Sequence, residues 1–407
     1  MSERPLLLNP ATEISPVDET SFDLKVVQIG TTVRATAYQT GLLHHFSDPA
    51  TVESVLTRFP FSKDTSLAFL QACRRAYVLV EKRSDGRLEL PDRVPSKASS
   101  TLLSMPAFEL TRPPAFCFLG VPYDGATSGE PGARFGPVSV REASEGYRYQ
   151  IDPLTLRPAG FLDLGTGRTI LRGVALADAG DVRVEPGESQ EAIFARTTQA
   201  VRQIVEAGSI PLVIGGDHAV SYAVLAALPL EDVSIVHFDA HSDLAPYLGD
   251  LHHGNVFSVV LEKLGYVNKL HQFGLRGYVE PELGKADPQV FRFGLDQLRK
   301  MGTAAFVEEL PNGVPYYVSI DIDVLDPSFA PATGTPVPGG LFPYELKELL
   351  FTLATERDVI GADVVEVAAT SGVGDGTGHF ALDALLAVAA GIVERVLSEE
   401  SENETHD

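Results

Sequence analysis

The chain has 407 residues, 44% of them hydrophobic and 21% charged, with 36 Gly and 28 Pro. That is an ordinary globular composition for two or three domains, and it excludes wholesale disorder, collagen and coiled coil. The net charge of −23 argues against a nucleic-acid backbone as partner, which needs clustered Lys and Arg.

The charge is uneven along the chain. Residues 1–112 are neutral, the tail 398–407 adds five acids, and 113–397 holds 19 basic against 37 acidic residues. A body this negative attracts cations, whether metal ions or a cationic substrate, besides staying soluble.

Met1 to Pro16 shows no basic stretch followed by an apolar core, so no secretory leader is expected. Residues 1–90 read as a small α+β module. Asp48-Pro49 is a helix start, with Val52, Val55, Leu56 and Phe59 on one face. Thr65 or Ser66 starts a second helix carrying Leu67, Leu70 and Cys73. Tyr77–Glu81, the turn Asp85-Gly86 and Leu88–Leu90 then predict a hairpin. Helix, helix and hairpin together make a winged-helix-like unit. Its neutral charge favours a peptide or carrier partner, or plain packing, over DNA. Residues 91–114, rich in Pro and Ser, read as a linker. Cys73 and Cys117 are the only cysteines, which fits a reducing, cytoplasmic setting. The apolar stretch near the C-terminus is broken by Asp383 and Glu394, so no membrane span is expected.

From residue 115 onward short apolar runs alternate with helical stretches. Strands are predicted at 116–121, 212–215, 234–238, 316–320 and 360–365. Helices are predicted at 190–206, 219–228, 288–301, 343–355 and 380–397. Strands separated by helices predict the α/β class: a doubly wound parallel sheet covered on both faces, a three-layer arrangement. In such sheets the site forms beyond the carboxyl ends of the strands.

Three of those ends carry unusual acids and histidines: Gly215-Gly216-Asp217-His218, Asp239-Ala240-His241-Ser242-Asp243, and Asp321-Ile322-Asp323. Positions i, i+2 and i+4 of an extended chain share a side, so Asp239, His241 and Asp243 can converge, as can Asp321 and Asp323. A lone Asp-x-Asp after a strand is usually a turn or a cap, and a single buried His is usually a core residue. Three such clusters in one domain are different. Four crowded carboxylates repel one another unless cations neutralise them, and four acids suit two ions better than one.

Together with Gly120-Val121-Pro122-Tyr123-Asp124, Ala126-Thr127-Ser128-Gly129, Pro131-Gly132-Ala133-Arg134-Phe135-Gly136-Pro137, Asp178-Ala179-Gly180-Asp181, His253-Gly254 and Gly339-Gly340-Leu341, these clusters resemble the ureohydrolases, the arginases and agmatinases, over about residues 115–397. The resemblance implies an arginase-like fold and a trimer or hexamer. It also implies one ion on His218, Asp239, Asp243 and Asp321 and another on His241, Asp239, Asp321 and Asp323. One imidazole per metal among oxygens suits two Mn²⁺ per chain, with Ni²⁺, Co²⁺ or Zn²⁺ able to compete. His253 resembles the family's proton-shuttling histidine, Glu366 the acid that grips the guanidinium, and Asp243 counts among the catalytic set.

Two departures bear on substrate. After Glu366 the family's usual Asn-Pro is replaced by Ala368-Ala369, followed by Thr370-Ser371-Gly372. The loop from Leu244 to His252 lacks the Ser-Gly-Asn group that arginases use for an α-amino acid and has no Lys or Arg; Asp250 instead suits a second cationic group. The reading is therefore an agmatinase-like hydrolase releasing urea from a small guanidino compound. Agmatine leads, ahead of 4-guanidinobutyrate, guanidine and arginine. One alternative is a guanidino group presented by a peptide or carrier through the N-terminal module. Another is an inactive binding or regulatory homologue, against which all six metal ligands stand.

Overall fold

The computed structural model describes residues 6–404 apart from 10–11, 19, 27–30, 59–62, 76–77, 82–100, 111–112, 156, 229–231, 280–286 and 369–375. The N-terminal region is a small α+β unit. Its strands are β1 (Leu6–Leu8), β2 (Thr12–Pro16), β3 (Ser21–Val26) and β4 (Thr31–Thr36), followed by helices α1 (Ala37–Leu43), α2 (Val52–Arg58) and α3 (Lys63–Arg75) and by β5 (Leu79–Glu81). Strands β2, β3 and β4 form an antiparallel meander that the sequence did not announce. Helix α2 starts at Val52 rather than at Asp48-Pro49, because Thr51 Oγ1 accepts the Ser54 N–H and caps it there. Helix α3 starts ahead of Thr65. The first half of the expected hairpin exists as β5, and it pairs antiparallel with β1; the expected return strand, Leu88–Leu90, lies outside the described residues.

The larger unit follows as β6 (Phe116–Gly120), α4 (Gly136–Ala143), the hairpin β7 (Phe161–Asp163) and β8 (Arg168–Ile170), β9 (Leu176–Asp181), α5 (Gln190–Glu206), β10 (Ile210–Ile214), α6 (Val220–Leu225), β11 (Val233–Phe238), α7 (Val256–Lys263), β12 (Val267–Leu275), β13 (Val290–Gly294), α8 (Leu295–Glu308), β14 (Pro315–Asp321), α9 (Pro343–Glu356), β15 (Asp358–Val365) and α10 (Thr377–Glu404). Eight strands form one parallel sheet in the order β13-β12-β11-β14-β15-β10-β6-β9. β6 and β11 are buried along their whole length, as strands covered on both faces must be. One face packs Val140, Leu298, Leu350 and Leu385 of α4, α8, α9 and α10. The other packs Ile193, Val201, Val220 and Phe257 of α5, α6 and α7. The result is the expected three layers.

All five predicted strands are present, and three further ones complete the sheet. β9 escaped notice because Asp178 and Asp181 interrupt its apolar run, and β12 because Asn268, Lys269, His271 and Gln272 do. The helix expected over 288–301 is half strand: Val290–Gly294 pairs with β12 and the helix begins at Leu295. The C-terminal helix starts at Thr377 and takes in most of the acidic tail, with Arg395 paired to Glu399 one turn on.

The linker expected over 91–114 is packed in its second half. Leu102, Leu103 and Met105 are buried in the main core, and the Leu102 N–H donates to Asp178 Oδ2 at 2.7 Å. The same carboxylate takes two hydrogen bonds from the buried Arg141, whose third arm reaches Asp181 at 2.6 Å. Paired this way, Arg141 keeps its proton well above the ordinary range, although burial alone works against the charge.

Two outcomes follow for stability. Asp178→Ala leaves a buried guanidinium short of its partner and frees the Leu102 amide, so urea melts should show a loss of about 3–5 kcal/mol. Deleting residues 1–100 should leave a domain with a cooperative melt. Deleting 1–112 also strips Leu102, Leu103 and Met105 from the main core, at about 2–5 kcal/mol each by the scale of large-to-Ala changes, and should give a visibly less stable protein.

Candidate metal centre

The clusters expected at the strand ends converge. β10, β11, β14 and β15 are the four middle strands of one contiguous stretch of the sheet, so the loops that follow them open onto one place. Gly215-Gly216 brings His218 there. A Cβ on Gly216 would sit 1.6 Å from the Tyr123 carbonyl oxygen, so only glycine lets these two backbones meet. Asp243 and Glu366 both hold positive φ, 50° and 61°, a conformation that non-glycine residues adopt at some cost and that clusters at functional sites.

His218 is fully buried, and its Nδ1 faces Asp243 Oδ2 at 2.8 Å, Asp239 Oδ2 at 3.3 Å and Asp321 Oδ2 at 3.5 Å. Its Nε2 lies 2.9 Å from Ser319 Oγ, and that hydroxyl donates to Asp363 Oδ1 at 2.7 Å. Since the Ser319 hydrogen is spent on Asp363, the His218 proton sits on Nε2. Nδ1 therefore presents a lone pair to three carboxylate oxygens, and it has no hydrogen-bond partner. Atoms so placed need positive charge between them: a metal ion or, in its absence, a second proton on the ring, which burial opposes and Asp239, Asp243 and Asp321 favour.

The second focus is His241, whose Nδ1 stands 2.9 Å from Asp323 Oδ2 and 3.5 Å from Asp239 Oδ1. Asp321 Oδ1 accepts the Asp323 N–H at 2.8 Å, leaving Oδ2 toward His218. Ligand atoms of His218, His237, Asp239 and Asp243 all lie within 4.8 Å of one another, and so do those of Asp239, His241 and Asp323. Asp239 belongs to both sets. The six residues expected to hold metal are thus gathered, and together they fit two hard divalent ions.

Without cations the centre would have to take up protons. Burial pushes the Asp323 carboxyl up to about 7, with the Asp239 charge adding to it. Asp321 is driven well above the carboxylate range by burial and by Asp323 and Asp239. Burial works against the His241 imidazolium, yet Asp239 and Asp323 outweigh it and lift its pKa to about 11. The demand for positive charge is built into the fold.

Beside this cluster lies a second pair. Glu366 Oε1 accepts from the His218 N–H at 2.9 Å and faces His253 Nδ1 at 3.1 Å. On the far side of the ring, the Ser128 N–H donates to Nε2 at 3.0 Å, with Ser128 Oγ at 2.7 Å. That amide fixes Nε2 as the acceptor and puts the proton on Nδ1, toward Glu366. Burial opposes the charged imidazole, but Glu366 holds its pKa above the usual value. His252 is turned elsewhere and is the N-terminal cap of the turn His253–Asn255, which separates the two neighbouring histidines by role. The wall beside Glu366 is glycine-lined: a Cβ on Gly334 would meet Glu366 Oε2 at 3.6 Å, and one on Gly132 would meet the Ala368 side chain at 3.4 Å. Ala369 to Gly372 lie outside the described residues.

Asp250 stands apart from this pair. It is exposed on the loop ahead of His253, and its carbonyl accepts from the Asn255 side chain at 2.9 Å. Several participants had no assigned part in the sequence. Ser128 stood in a quoted motif without a role. Asp217 is buried and accepts the Ala126 N–H at 2.7 Å, with burial and the Glu366 charge raising its carboxyl to about 8. Asp363, Ser319 and His237 lie behind the ligands. Only His237 had a local signal, two residues before Asp239 and on the same side of the strand.

Residues 114–391 match the arginase family. The chain is 37% identical over 260 residues to proclavaminate amidinohydrolase of Streptomyces clavuligerus, covering 61% of this chain and 79% of that protein. It is 35% identical over 291 residues to a guanidinopropionase of Pseudomonas aeruginosa, covering 68% and 86%. With an agmatinase of Bacillus anthracis it shares 35% over 272 residues, 65% and 86% of the two chains. The solved structure of the Streptomyces clavuligerus amidinohydrolase superposes with a TM-score of 0.62 at 30% identity, covering 73% of this chain and 98% of that one. The N-terminal region precedes the matched residues. The chain belongs to the arginase family, and with it to the hydrolases that act on guanidino groups.

Proposed function

We propose that this chain is a two-metal amidinohydrolase that converts a small guanidino compound and water into urea and an amine, with agmatine as the leading substrate. The observation that carries the reading is His218 Nδ1 placed among three carboxylate oxygens, one step from the Glu366–His253 pair. His218, Asp239, Asp243 and Asp321 would hold one ion, and His241, Asp239, Asp321 and Asp323 the other, with Mn²⁺ favoured by the oxygen-rich set. Two divalent ions there would supply the charge that makes water nucleophilic near neutral pH.

The chain's own residues do the rest. Glu366 faces the planar guanidinium with a carboxylate, a charge-assisted pairing that orients the carbon under attack. Its positive φ aims the side chain inward, and the buried setting strengthens the pairing. Collapse of the tetrahedral adduct needs a proton on the departing amine. His253, with its Nδ1 proton toward Glu366, is the group in reach with a proton to move; burial opposes a second proton and Glu366 favours it, and that proton would replace the Ser128 N–H at Nε2.

The outer pocket supports a cationic tail. The rim loop Leu244–His252 has no Lys or Arg and carries Asp250. An acidic tail would enter a negatively charged mouth without a partner, at a cost of a few kcal/mol. Relatives include both an agmatinase and a guanidinopropionase, so the tail is the part that needs testing.

Two experiments check the reading. Purified chain should hold close to two divalent ions, and either Asp239→Ala or Asp321→Ala should lose both ions and all turnover; full occupancy in either variant refutes the shared-ligand arrangement. A urea-release panel of agmatine, 4-guanidinobutyrate, 3-guanidinopropionate, arginine and guanidine, run with Mn²⁺ and with Ni²⁺, should rank agmatine over arginine by about 10²-fold in kcat/KM, since each 1.4 kcal/mol is tenfold. A guanidino acid at the head of the list would show that another loop supplies a cation for its carboxylate.

A further inference from the structure

We propose that His237 is a positioning residue for Asp239, locked by Gln272 into the form that donates from Nε2, and is not a third imidazole ligand. The proposal rests on the two-metal reading above, in which Asp239 is shared between the ions.

His237 and Gln272 sit directly opposite each other on the paired strands β11 and β12, and both are fully buried. The Gln272 side-chain nitrogen lies 2.6 Å from the Ser242 carbonyl oxygen and 2.9 Å from His237 Nδ1. A main-chain carbonyl can only accept, so the group in that place is the amide NH₂. Its second hydrogen then points at His237 Nδ1, which must offer a lone pair. The ring proton is left on Nε2, 2.7 Å from Asp239 Oδ2. A nitrogen that carries a proton has no lone pair for a metal, so closeness to the other ligands does not make His237 one of them.

Two neighbouring rings pack against the imidazole. Phe257 packs against it with centroids 4.4 Å apart, and the edge of His218 meets it at 5.0 Å. The consequence falls on Asp239. Its Oδ1 accepts the His241 main-chain N–H at 2.5 Å and its Oδ2 accepts a hydrogen bond from His237 Nε2–H at 2.7 Å. Each oxygen of the shared carboxylate is therefore held by one donor and keeps lone-pair capacity for one ion. A carboxylate that bridges has to be fixed at both ends, and hydrogen bonds behind the ligands commonly set metal affinity.

The test is metal titration of His237→Phe and Gln272→Leu beside the wild type, using Mn²⁺ with a competing fluorescent chelator and reading stoichiometry as well as affinity. Both variants should keep two sites per chain and bind about 10–100-fold more weakly. One ion per chain in His237→Phe would make His237 a ligand, and wild-type affinity in either variant would make the pair mere packing; both results overturn the proposal. Gln272→Leu decides the matter alone if the other variant does not fold. The lock is also readable without any ion: in ¹⁵N-histidine spectra of the metal-free chain, the His237 signals should report the proton on Nε2. A proton on Nδ1 overturns the proposal even if ions bind normally, whereas a wild type that binds no ions but shows Nε2–H fails the two-metal reading instead.

Discussion

Four aspartates held at the carboxyl ends of adjacent strands, with almost no water to solvate them, set the terms for the rest of this molecule. Asp239, Asp321 and Asp323 are at most 4% exposed, and unpaired charges in such surroundings are costly enough to unfold a domain of ordinary stability. The sheet brings them together regardless. The remaining structure is arranged so that positive charge can be accepted there: imidazoles on two sides, an acidic body around them, and, among the described ion pairs, no Lys or Arg on these carboxylates, Arg276 being spent on main-chain carbonyls beside them. Binding of cations and folding of these loops are then linked, because ions that bind only the folded form stabilise it by mass action.

Acids that must stay ionised and acids that serve structure are kept apart by their partners. Asp178 and Asp124 answer to arginines, Arg141 and Arg134, and so tie the ends of β6 and β9 to the helix and turn that follow β6. Asp363 answers to Tyr317 and Ser319 and acts on the site only by taking the serine hydrogen, which fixes the His218 tautomer from behind. Glu366 is the one acid of the centre that faces His253 rather than the shared carboxylate. This division leaves Glu366 apart from the carboxylates gathered around His218 and His241.

The N-terminal unit has its own small core of Leu24, Val33, Leu42, Phe46 and Leu70, extended by Leu110 from the segment that leads into the larger unit. Phe108 belongs to the margins of both cores. The segment 101–110 is thus a shared wall, disguised as a tether by the prolines and serines of the stretch 91–114 in which it lies. Prolines and serines mark irregular backbone, but they do not say whether the irregular backbone is packed.

The convergence of acids and histidines at the strand ends was legible from the sequence alone because the information is local. Asp239, His241 and Asp243 share a side through the two-residue period of an extended chain, and the alternation of strands and helices placed all three clusters at one end of one sheet. Glu366 and His253 could be named only through resemblance to a family. What the tertiary structure decided is everything that depends on which strand lies beside which. Gln272 meets His237 across 35 residues, Ser319 meets His218 across 101, and Ser128 meets His253 across 125. The polar strand Val267–Leu275 and the buried half of the linker were unreadable for the same reason. Whether a polar side chain is satisfied in the interior is settled by its neighbour in space, and sheet order, which no local pattern encodes, chooses that neighbour.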